Sequence, residues 1–145
     1  MPAKLDDTPR KRMASECKRR GTSALVGGCV ALLSGHPVDD ELIRGLGGQP
    51  GAGVLDGYSG GRSGYWPRVW AARALLYPWD DSAMSAVIAA TGDDAWRVRE
   101  LAAKVIAHHH LGDALQAVAK LRTDPVARVR DAAERAVKVV AEARA

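Results

Sequence analysis

The sequence predicts an all-α fold: a short α-solenoid of about three helical hairpins behind an N-terminal capping helix. Three observations predict it. No segment alternates apolar and polar residues with the two-residue period of a strand. Apolar residues recur instead at helical spacing, in short segments punctuated by glycine and proline. One stretch spanning two of these segments is written twice, 31 residues apart and without a gap. The chain has 145 residues, 47% hydrophobic and 26% charged, the composition of one ordinary folded domain. It is too short for a two-domain dehydrogenase or a full α/β-hydrolase.

The elements follow in order. Residues 1–12 are polar, contain Pro2 and Pro9, and are expected as a flexible basic tail, with the folded domain over 13–145. Residues 13–34 form a helix candidate with an apolar second half, weakened by Gly21, Gly27 and Gly28 and stopped by Gly35-His36-Pro37. Asp39–Leu46 is a short helix opened by acidic residues. Residues 45–64 hold nine glycines and read as a long loop inside the first repeat. From Trp66, with Pro67 near its start, a helix runs to about Tyr77 and is closed by Pro78. Further helical segments are expected at 82–91, 95–108, 113–122 and 125–142, the last opened by Asp124-Pro125.

The repeat is legible residue by residue. At offset 31, Asp93 matches Asp124, Arg97 matches Arg128, Val98 matches Val129 and Arg99 matches Arg130; Glu100 stands over Asp131, Ala102 over Ala133 and Lys104 over Arg135. In the preceding helices Met84 stands over Leu115 and Val87 over Val118. A worn third copy lies upstream, where Arg68-Val69 corresponds to Arg97-Val98. One such hairpin cannot bury its apolar face alone, so hairpins stack. In the last segment Val129, Ala132, Ala133, Ala136, Val137 and Val140 make the stripe that stacking needs.

The runs Asp-Pro-x-x-x-Val-Arg-x-x-Ala at 124–133 and Asp-x-x-x-x-Val-Arg-x-x-Ala at 93–102 resemble HEAT repeats, in particular the short repeats of the phycobilisome-lyase type. The resemblance implies repeats of two antiparallel helices, joined by a ladder of Asp and Arg six positions apart. Carried over, that structural ladder is Asp93, Arg99, Asp124 and Arg130; the upstream copy departs from it, with Gly64 and Trp70 in the Asp and Arg places. The resemblance is specific for fold. A bilin-lyase role would rest on the repeat type alone, and fold by itself does not license a function.

All seven aromatic residues lie between 58 and 96, and there is no Phe. On a helix, Trp66, Trp70, Arg73 and Tyr77 fall within about 60° of one another. With Trp79 they form the expected partner-binding patch, because Trp, Tyr and Arg dominate interface hot spots. The alternative is that two of these rings pack as core beneath the glycine-rich segment.

Charge offers a second reading. Residues 1–20 carry seven Lys/Arg against three acids, which accounts for the whole net charge of +4; residues 21–145 hold 14 of each sign. This arm, with the recurring Arg68, Arg97 and Arg128, would suit nucleic acid. It would be distantly similar to the HEAT-like DNA-alkylation-repair proteins. Against it, the Glu100/Lys104 and Asp131/Arg135 pairs neutralise the rows.

Other motifs point to no chemistry. Gly57-Tyr58-Ser59-Gly60-Gly61 fits G-x-S-x-G but lacks the strand a nucleophile elbow requires. His108-His109-His110 diverge by 100° per residue on a helix and do not converge on one metal. Cys17 and Cys29 are too few for a four-thiolate site and read as reduced thiols. The longest apolar run, 24–33, is about half of the roughly 20 residues a membrane span needs. The expectation is a cytoplasmic, non-enzymatic interaction module that binds a protein, without catalytic residues, cofactor, metal or membrane.

Overall fold

The structure, a computed structural model, describes residues 4–144. Among the described residues there are nine α-helices and no strand, and no helix is long and apolar enough to cross a membrane. The chain divides into two compact units, the first ending at Ala83 and the second beginning at Met84, where the sequence reading had one domain over 13–145.

The first unit contains α1 (Pro9–Arg20), α2 (Thr22–Leu33), α3 (Asp40–Gly47), α4 (Gln49–Leu55) and α5 (Trp66–Ala74), with short 3-10 turns at Tyr58–Gly60 and Asp81–Ala83. The expected tail is helical from Pro9. Thr8 caps α1, its Oγ1 accepting from the Lys11 N–H at 3.3 Å, and Pro9 occupies the first turn, where its missing N–H is no loss. Residues 1–3 of that tail lie outside the described residues. The single helix expected over 13–34 is two. Gly21, at φ +87°, ends α1 by donating to the Cys17 carbonyl at 2.8 Å and starts α2; a Cβ there would be strained.

The glycine-rich stretch is not one loop. Its glycines mostly let helices touch. A Cβ on Gly45 would lie 2.9 Å from Glu16 Oε1, one on Gly47 2.6 Å from the Trp70 ring, and one on Gly51 2.5 Å from the Ile43 carbonyl oxygen. So α3 packs against α1, α4 and α5 at distances that only glycine permits, and α5 also packs on α2. The core of this unit is Met13, Leu25, Val26, Cys29, Leu42, Ile43, Leu46, Val54, Trp70 and Leu75.

Charged groups are built into this core. Arg12 is only 5% exposed. Its Nε donates to the Gly45 carbonyl at 2.9 Å, one terminal nitrogen donates to Leu46 O at 3.3 Å, and the other donates to Asp7 O. Arg73 donates to the same Leu46 carbonyl at 3.0 Å. Two guanidinium groups thus satisfy the C-terminal carbonyls of α3, where cations are favoured. Burial lowers the pKa of both, and for Arg73 the nearby Arg12 lowers it further. At the other end of α1, buried Glu16 pairs with Arg20 (2.7 Å) and Arg19 (2.9 Å). These reach on to Asp39 (2.8 Å) and Glu41 (2.7 Å). Asp39 also caps α3, accepting from the Leu42 N–H at 2.8 Å. The Arg20 guanidinium holds its carboxyl down to about 2.

The second unit contains α6 (Met84–Ala90), α7 (Trp96–His108), α8 (Leu115–Ala119) and α9 (Ala127–Arg144), with 3-10 turns before and after α8. Each boundary lies within a few residues of the sequence expectation. α6 packs on α7, α8 packs on α9, and the main contact is α7 against α9. Val98, Ala102, Val105 and Ile106 of α7 and Val129, Ala133, Ala136 and Val140 of α9 are all fully buried. Ala132 and Val137, the other members of the expected stripe, are half-buried.

The two copies repeat their hydrogen bonds as well as their residues. Asp93 Oδ1 accepts from Ala95 N–H at 2.8 Å, and Asp124 Oδ1 accepts from Val126 N–H at 2.9 Å. Arg99 donates to the Asp93 carbonyl at 2.8 Å, and Arg130 donates to the Asp124 carbonyl at 2.7 Å. Between the copies, Arg99 grips Asp124 with two bonds, 2.8 and 3.2 Å, and lowers its carboxyl pKa. A second tie joins Glu100 on α7 to Arg128 on α9 at 2.9 Å.

Candidate functional site

α5 ends at Ala74, three residues before the expected stop, because Pro78 disfavours helical backbone at Tyr77 and the chain turns over 75–78. That shorter helix splits the expected aromatic patch. Trp70 is 4% exposed, with Gly47 against its ring, and belongs to the core. Arg73 is half-buried and committed to the Leu46 carbonyl. Trp66 is half-buried, stacked between Tyr65 (5.1 Å between centroids) and Trp70 (6.2 Å). The stripe read from the helical wheel is therefore largely the inward face of α5. Only Tyr77 and Trp79, beyond the helix, take a different course.

Tyr77, Pro78 and Trp79 form one wall of a cleft of about 380 Å³. Arg10, Met13 and Cys17 of α1 line it as well. Arg10 stands 5.8 Å over the Tyr77 ring, within cation–π reach. Trp79 is oriented by its indole N–H, which donates to Asp81 Oδ1 at 3.3 Å. The cleft is lined by two aromatic rings, a threonine, a thiol and one cation over the buried Met13, and no carboxylate among the described residues lines it. Such a surface holds an apolar side chain and favours negative charge beside it. The α1 contribution is absent from the sequence reading, although Thr8-Pro9 is a helix-start signal that would have ordered Arg10 and Met13.

A second cleft in the same unit, of about 350 Å³, lies between the end of α2, the segment 35–38 and the start of α5. His36, Arg62 and Arg68 line it.

The remaining sequence candidates disperse. Of the seven cations in 1–20, Arg12, Arg19 and Arg20 are engaged internally, while Lys4, Arg10, Lys11 and Lys18 are exposed. Arg97 and Arg128 both stand over the Trp96 ring, at 4.4 and 5.3 Å, and Arg128 is also tied to Glu100. Ser59, in left-handed backbone, sits on an exposed single turn. His108 and His109 meet edge to face at 4.8 Å, and no group of three metal-ligating side chains occurs among the described residues. Cys29 is fully buried, which pushes its thiol up to about 12, whereas Cys17 is half-buried at the cleft.

Fold and site together define an all-helical protein with an aromatic-walled cleft on its N-terminal unit. Compared with protein-family models, curated proteins and solved structures, the chain matches none.

Proposed function

We propose that the chain is a non-enzymatic helical-repeat module of HEAT type that acts in the cytoplasm and docks a protein partner in the cleft formed by α1 and Tyr77–Trp79. The observation that carries this reading is the cleft itself: Tyr77, Trp79, Arg10 and Cys17 are among the residues that line a space of about 380 Å³, large enough for one or two side chains, with Arg10 over Tyr77. Aromatic anchors beside an arginine are the usual centre of an interface hot spot. The HEAT assignment is supported by the 31-residue repeat and by the Asp–Arg bonds that recur with it. The partner segment best suited to the cleft presents a large apolar side chain next to an acidic one, the latter meeting Arg10 and the exposed Lys11.

The test is affinity capture from native lysate with wild type, Trp79→Ala and Tyr77→Ala, each first shown by circular dichroism to keep the wild-type melting curve. A partner retained by wild type and lost by both variants is the expected result. Partner lists unchanged by both substitutions would remove the cleft from the interface.

A further inference from the structure

We infer that the outer edge of α9 is a docking site for a helix of a partner protein, one that opens with an aspartate and carries an arginine four residues later. The duplication inside the second unit shows what such an edge takes. On α7, two consecutive residues reach across to the opening of α9. Arg99 anchors its Nη1 on the Asp93 carbonyl at 2.8 Å and donates from Nε and Nη2 to the Asp124 carboxylate, at 2.8 and 3.2 Å. Its neighbour Glu100 accepts from Nε and Nη2 of Arg128, at 2.9 and 3.2 Å. Asp124 and Arg128 stand four positions apart where α9 begins, so the paired contact recognises a helix start of the form Asp-x-x-x-Arg.

At the 31-residue offset, Arg130 and Asp131 repeat these two positions without the two partners. Arg130 Nη1 is anchored on the Asp124 carbonyl at 2.7 Å, as Arg99 is on that of Asp93, and no described residue bonds its Nε or Nη2. The Asp124 carboxylate lies close enough to feel Arg130, but Arg99 holds both of its oxygens. Asp131 is exposed and no described side chain pairs with it, whereas Glu100 is buried. Val137 is half-buried where its counterpart Ile106 is fully buried. The edge thus carries an anchored guanidinium, a carboxylate beside it and an uncovered valine, the set that α7 uses to hold α9.

The occupant is a different protein rather than a second copy of this chain. In a second copy Asp124 and Arg128 are already tied to Arg99 and Glu100. The places of the buried Ala103 and Ala107 are also taken on α9 by the exposed Glu134 and Lys138, which exclude the close apolar fit that α7 accepts. This edge lies wholly in the second unit and shares no residue with the Tyr77–Trp79 cleft, so either site can fail without the other.

The experiment is a two-dimensional amide NMR titration of the full chain with a synthetic peptide of residues 123–142, the helix that makes both ties on α7. Saturable binding with a Kd of about 1 mM or tighter is expected, with shifts centred on Arg130, Asp131 and Val137. Asp124→Asn in the peptide and Arg130→Gln in the full chain are each expected to weaken binding about fivefold, and both together no more than either alone, because they remove one contact. Arg128→Gln in the peptide and Asp131→Asn in the chain are expected to behave as a second such pair. The spectrum of each free variant reports whether it is folded, and the Asp131→Asn pair stands if Arg130→Gln perturbs the fold. Shifts spread through Val98, Ala102 and Ile106, the mark of a peptide displacing the chain's own α9, would overturn the assignment. So would a titration that shows no saturation by about 3 mM, or losses that simply add in both pairs. Sedimentation of the free chain is expected to show a monomer; dimers lost in Arg130→Gln would overturn the choice of a different protein as occupant.

Discussion

The two units solve the same problem, burying the apolar faces of short helices, by different means. In the second unit, small and β-branched residues at matched positions of α7 and α9 interdigitate, and the polar ties run from side chain to side chain or to the turn just upstream. In the first unit, glycines bring α3 against α1, α4 and α5, and buried guanidinium groups satisfy the end of α3 directly. The contrast teaches that two closely matched copies can distribute stability over equivalent contacts, whereas a unit holding only a worn copy concentrates it in a few groups. Both clefts lie in the first unit, where the repeat is worn.

The sharpest way to break this comparison is Arg12→Ala. It removes the side-chain donor of the Gly45 carbonyl, leaves the Leu46 carbonyl to Arg73 alone, and should cost about 3 kcal/mol in urea unfolding. The repeat counterpart is Arg99→Ala, which strands the Asp124 carboxylate but leaves the apolar α7/α9 contact whole. A loss of about 2 kcal/mol is expected there. Equal losses would mean the two units do not differ in how they distribute stability.

Glycine substitutions sharpen the same point with opposite signs. Gly47→Ala forces a Cβ into the Trp70 ring and should destabilise by about 1–2 kcal/mol. Gly27→Ala lies on α2 with no atom within 4 Å of the new Cβ, and should stabilise by up to about 1 kcal/mol. Thermal melts of the two variants side by side read both signs.

The smallest expected effect is acid sensitivity, and each unit supplies one probe. Asp39 and Asp124 both have carboxyl pKa values lowered by arginine, Asp39 to about 2. Each contribution is complete at about pH 5 and above, where the unfolded carboxylates are also ionised, and is lost as the pH falls through the lowered folded value, about 2 for Asp39. Stability measured at pH 5 and pH 2.5 should fall less in Asp39→Asn and in Asp124→Asn than in wild type. An undiminished acid loss in both would show that other carboxylates govern it.

Much of the second unit is legible in the sequence. A 31-residue repeat with Asp-Pro and Val-Arg signposts fixes helix starts and apolar stripes by local rules, and α7 and α9 obey them to within two residues. The first unit was legible in parts. The acidic opening of 39–46 reads as a helix start, and Asp39 caps α3 one residue before it, but the glycines of 45–64 look the same in sequence whether they serve a loop or a close helix contact. Of the aromatic stripe, Trp66, Trp70 and Arg73 lie on α5 and Tyr77 lies beyond its end; a helical wheel gives a face and not what covers it, and Gly47 stands against the Trp70 ring. The cleft needed α1 beside Tyr77 and Trp79, residues more than sixty positions apart whose meeting no local pattern encodes.

By itself, then, the sequence determined the all-helical class, the repeat and its Asp and Arg positions, because helix period, capping and duplication are written in neighbouring residues. Tertiary structure alone decided which glycines are contacts, that Arg12 is buried, which aromatics line a cleft, and that the chain forms two units. Those outcomes depend on which distant surfaces exclude water from each other, and that is a property of the packed chain rather than of any stretch of it.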